Sequence, residues 1–135
     1  LRRADELKAR RAAIARAYNE AFRDLEALQT PYAEPGVDHA WHLYVLRIRP
    51  PRLRIDRAQF VEVLHARGVN ASVHCIPLHT MDFYQRRYGY RNGDFPVAED
   101  VFSRCLSLPI FPALSQEELA YVIETVRATV SENLR

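Results

Sequence analysis

The sequence predicts an α/β (α+β) fold: a two-layer sandwich in which a small, mainly antiparallel sheet of about three strands is covered by helices, with a long helix at the N-terminus. Three observations lead there. The first two dozen residues carry apolar side chains at helical spacing, three short runs rich in aliphatic and β-branched residues lie further on, and no internal repeat is present. A chain of 135 residues, 48% hydrophobic and 27% charged, fits one domain with its own core and no second one.

From about Asp5 to Leu28, Leu7, Ile14, Tyr18, Phe22, Leu25 and Leu28 recur on one side, with Arg3, Arg10, Arg16, Glu20 and Arg23 opposite. This is an amphipathic helix, to end before Pro31, which cannot continue it. Pro31 to Asp38 reads as a loop. Trp41 to Ile48 is a largely buried strand, stopped by Pro50 and Pro51. Asp56 with Gln59 three residues later has the form of a capping box and opens a helix running to Arg67 and stopping at Gly68.

Ala71 to Cys75, after the turn-prone Gly68 and Asn70, predicts a second strand. A loop through Pro77 then leads to a short helix over Asp82 to Tyr88, a Gly89 to Gly93 turn, and a helix opened by Asp94 and Pro96. Cys105 to Ile110 is the third strand, closed by Pro109 and Pro112. The last helix starts at Ser115 with Glu118 in the capping-box position and buries Leu119, Val122, Ile123, Val126 and Val130.

Composition removes several classes. No apolar run approaches the ~20 residues of a bilayer span, so a cytoplasmic protein without membrane partners is expected. The chain starts at Leu1 and its only methionine is Met81, which suggests a piece of something longer. Cys75 and Cys105 read as free thiols. Arginines dominate the basic residues, but a net charge of +2 and the acidic residues interleaved along the first helix argue against nucleic acid.

The densest polar cluster is His74, Cys75, His79, Asp82 and Tyr84 around Pro77, where a strand end enters a loop and side chains become available to a ligand. Zinc is the weaker reading, since neighbouring strand residues 74 and 75 face opposite ways and no paired CxxC is present; histidines hydrogen-bonded within a loop are the plainer one. His39, His42 and His65 read as structural, His65 through the dipole at its helix C-terminus. There is no GxSxG elbow and no phosphate loop.

Taken in order, LKARRAAIARAYNEAF, HAWHLYVLR, LHARGVNASVHCIPLH and the long stretch from DFYQRRYGY to YVIETV resemble the C-terminal region of the DegT/DnrJ/EryC1/StrS aminotransferases. The resemblance implies a pyridoxal-phosphate-dependent enzyme of fold type I that moves an amino group, often from glutamate, onto a nucleotide-linked keto-sugar. It implies that residues 1–135 are the small C-terminal domain, that the large domain of the same chain holds cofactor and catalytic lysine, and that the whole enzyme is a homodimer. His74 and His79, with Tyr84 as a further candidate, would contact the sugar-nucleotide. Cys75 stands where relatives commonly carry tyrosine, so no phenol contact is expected there. The only lysine here is Lys8, so no catalytic residue is assigned, and these residues alone are expected to bind no cofactor and catalyse nothing. The alternative is a stand-alone domain of the same fold that binds a nucleotide-sugar or a protein partner.

Overall fold

In the computed structural model, which describes residues 2–135, the chain runs α1 (Ala4–Phe22), β1 (Leu28–Gln29), β2 (Tyr44–Ile48), α2 (Arg57–Ala66), α3 (Asp82–Tyr88), α4 (Pro96–Arg104), β3 (Cys105–Leu108) and α5 (Gln116–Glu132). Single 3₁₀ turns stand at Pro50–Arg52 and Leu78–Thr80. The three strands form one antiparallel sheet in the order β1-β2-β3. Sheet type, strand number and the long N-terminal helix agree with the sequence expectation.

Alternation along β2 sets the core. Tyr44, Leu46 and Ile48 are buried while Val45 and Arg47 are not, and across the ladder Tyr44 meets Leu108 and Leu46 meets Leu106. Helix α5 packs against both α1 and α2, and Tyr18 and Phe22 of α1 join Phe60 and Leu64 of α2 and Val122, Val126 and Val130 of α5 in the same cluster. Each such large side chain contributes about 1.5–3 kcal/mol by leaving water. On the opposite side of β3 lie Cys105 and Ser107, also buried, with Phe102 of α4 close to Cys105. Both faces of β3 are therefore covered.

Both predicted capping boxes form. The Asp56 carboxylate accepts from the Gln59 amide at 2.9 Å, the Ser115 hydroxyl from the Glu118 amide at 3.1 Å, and each long side chain answers back. Several expectations need correction. Helix α1 stops at Phe22 rather than near Leu28 because the Arg127 guanidinium from α5 takes the Ala21 carbonyl and grips Asp24 with two bonds of 2.8 Å. The chain continues in tight turns, Leu25 N–H to Phe22 and Leu28 N–H to Leu25, whose three-residue steps imitate helical spacing, and Leu28 then enters β1.

Ala71 to Cys75 is not a strand. It pairs with β3 at one bridge only, Ser72 opposite Ser107, and His74, Cys75 and Ile76 are all exposed, so no buried face fixes an extended register. The sheet's third strand is instead the short β1. Finally, β2 begins at Tyr44 because Trp41 takes φ 48°, a left-handed conformation that interrupts the extended chain, and β3 ends at Leu108 ahead of Pro109. Asp94, expected to open α4, closes the preceding turn by accepting from the Arg91 amide at 2.8 Å, and Pro96 begins the helix.

Candidate functional site

The segment His74–Pro77 leaves the sheet edge, passes the 3₁₀ turn Leu78–Thr80 and enters α3, while α4 lies alongside. Two clefts open there. One, of about 460 Å³, is bordered by Leu78, His79, Tyr84, Tyr88 and Tyr90; the other, of about 650 Å³, by His74, Cys75, Val101, Phe102 and Cys105. Pro77, Phe95 and Ala98 border both and form the ridge between them.

The structure thus brings His79 and Tyr84 into one cleft and sets His74 in its neighbour. His74 is exposed, with its backbone carbonyl accepting from the Cys105 thiol at 3.3 Å. Tyr84 is half-buried between Phe83, at 5.4 Å edge-on, and Tyr88, stacked at 6.1 Å. His79 differs from both, being only 5% exposed. Its Nε2 lies 2.7 Å from the Glu99 carboxylate, and its ring leans on Phe95 at 4.8 Å. Asp82 turns away to an exposed pair with Arg86.

Glu99 escaped the sequence reading. A carboxylate in the first turn of a helix opened by proline has an ordinary explanation in the helix dipole, and nothing local reveals a partner twenty residues earlier. Its Oε1 also accepts from the Gly93 amide at 2.7 Å. The His79 hydrogen bond first, and the Gly93 amide second, hold its carboxyl below the usual carboxylate range.

Two of the remaining histidines have local roles. His39 Nδ1 accepts from the Trp41 amide at 2.9 Å, steadying the left-handed residue, and His65 Nε2 lies 2.7 Å from the Ala71 carbonyl. A carbonyl only accepts, so that nitrogen of His65 carries the proton. Among the described residues no three His, Cys, Asp or Glu side chains converge as a metal site requires, and no helix is long and apolar enough to cross a membrane.

Lys8 carries the one lysine amine of the sequence. Lys8 donates to Asp38 at 2.6 Å, and that hydrogen bond raises its pKa. Lys8 sits on α1, away from both clefts.

The sequence profile of the DegT/DnrJ/EryC1/StrS aminotransferase family matches residues 1–127. An uncharacterised protein of Methanocaldococcus jannaschii is 46% identical over 98% of this chain and 34% of its own length, and the spore coat polysaccharide biosynthesis protein SpsC of Bacillus subtilis is 38% identical over 96% and 34%. Among solved structures, S. venezuelae DesV in complex with a ketimine intermediate superposes with a TM-score of 0.86 at 30% identity, covering 96% of this chain and 33% of that one. The PLP form of Spr1654 from Streptococcus pneumoniae gives 0.87 at 26% identity, covering 98% and 33%. The chain spans about a third of the length of these relatives. It belongs to the DegT/DnrJ/EryC1/StrS aminotransferase family.

Proposed function

We propose that residues 1–135 are the small, C-terminal domain of a pyridoxal-phosphate-dependent sugar aminotransferase, which transfers an amino group from glutamate to a nucleotide-linked keto-sugar. In this reading the domain supplies one wall of the substrate site and no catalytic residue. The observation that carries it is the pair of clefts around Pro77, which gathers His74, His79 and Tyr84 on a chain that matches one third of DesV over nearly its whole length. Cofactor and lysine belong to other residues of the longer protein, in agreement with the engaged amine of Lys8.

The wall has the chemistry such a substrate needs. Aromatic faces cover apolar ring surfaces, and a few hydroxyl and imidazole groups fix orientation by hydrogen bonds. Exposed apolar side chains around the clefts, Val97 at 77% and Phe83 at 66% among them, form a surface suited to being covered by the rest of the protein, in a homodimer of the whole enzyme.

The test is a pyridoxal-phosphate titration of residues 1–135 beside the full-length protein, followed by visible absorbance, with glutamate added at the end. The expected result is a glutamate-sensitive band in the full-length protein alone. A specific, glutamate-sensitive band from residues 1–135 would overturn the reading and make Lys8 the cofactor's lysine.

A further inference from the structure

We infer that Glu99 is a positioning residue of the substrate wall: its carboxylate fixes which nitrogen of His79 carries a proton and couples that ring to the turn opposite it across the cleft. The inference rests on the functional reading above and adds to it a residue and a hydrogen-bonding polarity.

The argument starts from the oxygen. Glu99 Oε1 lies 2.7 Å from His79 Nε2 and 2.7 Å from the Gly93 amide nitrogen. An ionised carboxylate only accepts, and the hydrogen bonds it receives favour its ionised form. The His79 nitrogen facing it must therefore be Nε2–H. With Nε2 committed, Nδ1 is the ring nitrogen left for a ligand, and no other described residue hydrogen-bonds it. In the neutral ring Nδ1 is then an acceptor for a donor such as a sugar hydroxyl, and in the imidazolium it is a second donor.

Burial makes this arrangement strict. At 5% exposure His79 has little water to compensate a wrong tautomer, and Phe95 against its ring limits rotation. The second bond of Glu99 extends the effect. Gly93 adopts φ 95°, a conformation open to glycine, and closes the turn that carries Tyr90. Tyr90 meets Phe95 edge-on at 5.4 Å and stacks with Tyr88 at 5.8 Å, and both tyrosines border the same cleft as His79 and Tyr84. One oxygen thus ties the 3₁₀ turn, the glycine turn and α4 together around the cleft.

Glutamine can present the same oxygen to both N–H groups, whereas alanine presents nothing. The experiment compares the full-length protein, loaded with pyridoxal phosphate, as wild type, Glu99→Ala and Glu99→Gln. Binding of UDP-glucose and dTDP-glucose, nucleotide sugars without a reactive keto group, is measured by calorimetry. The expected result is a Kd about tenfold higher in Glu99→Ala, the loss of one well-aligned hydrogen bond. Glu99→Gln is expected within about threefold of wild type on the same scale.

Equal losses in the two variants or an unchanged Kd in Glu99→Ala would overturn the inference. A wild type that binds neither nucleotide sugar would overturn the functional reading and this role with it, whereas binding by wild type with no effect of Glu99→Ala overturns the role alone. Should Glu99→Ala not fold, Glu99→Asp, which keeps the charge and withdraws the oxygen by one methylene, is judged by the criteria set for alanine.

Discussion

The end of the molecule where α1 meets α5 and the wall built by α3 and α4 are assembled on different principles. At the first, side chains interlock: Tyr18, Phe22, Val126 and Val130 are buried, and Arg127 closes the α1 terminus by binding both the Ala21 carbonyl and Asp24. In the second, neither α3 nor α4 buries a single residue. The aromatic side chains of α3 and of the turns before and after it instead form a file, His79 to Phe95 to Tyr90 to Tyr88 to Tyr84, beside clefts open to solvent. The first region holds the fold, and the second leaves large apolar side chains exposed. Burial is the property that separates them, and it predicts opposite responses to truncation.

The largest effect belongs to the interlocked side. Leu46 is fully buried in the central strand and faces Leu106 across the ladder. Leu46→Ala removes its apolar contacts and leaves a void that neighbouring elements cannot close, at an expected cost of about 2–5 kcal/mol. Urea unfolding of residues 1–135 measures this as a lower midpoint with an unchanged slope. A loss below about 1 kcal/mol would mean that the sheet relaxes around the cavity and that this core is less rigid than its burial implies.

The same division decides what could be read from the sequence. The capping boxes at Asp56 and Ser115 were legible because each lies within four residues, and the stripe Leu119, Val122, Val126 and Val130 because burial on a helix is periodic. The end of α1 was not legible, since it is set by Arg127, more than a hundred residues from Asp24, while three-residue turn spacing imitates a helix. Ala71 to Cys75 has strand composition but lacks a partner beyond Ser72. At the candidate site the segment around Pro77 stood out by composition. The distinction between exposed His74 and buried His79 did not, because it depends on Glu99 arriving from another helix.

Acid sharpens the comparison next. Hydrogen bonding to Arg127 holds the Asp24 carboxyl well below its ordinary value, from 3.8 to about 2. A depressed carboxylate stabilises the folded state above its unfolded pKa, and that contribution disappears as pH falls through the folded value. Wild-type residues 1–135 should therefore lose urea resistance as the pH drops from about 4 to about 2. Asp24→Asn should start lower at neutral pH, lose less over that interval, and converge on wild type at its acid end. Parallel curves for the two proteins would show that the Arg127 pairing does not steady the α1 terminus.

The smallest effect in the isolated domain is expected at the wall, and there the context of the measurement matters most. Phe83 and Val97 are 66% and 77% exposed, so Phe83→Ser together with Val97→Ser removes little that folding of residues 1–135 had buried. Unfolding of that domain should change by less than about 0.5 kcal/mol per substitution. In the full-length protein, where the proposed function places this surface against other residues, the same pair should lower the thermal midpoint clearly, since a covered side chain of this size contributes about 1.5–3 kcal/mol. A null effect in both proteins would mean that the wall faces water throughout, and a large effect in both would mean that α3 and α4 stabilise residues 1–135 themselves. Only the split result fits a surface whose apolar side chains are kept for contacts beyond these 135 residues.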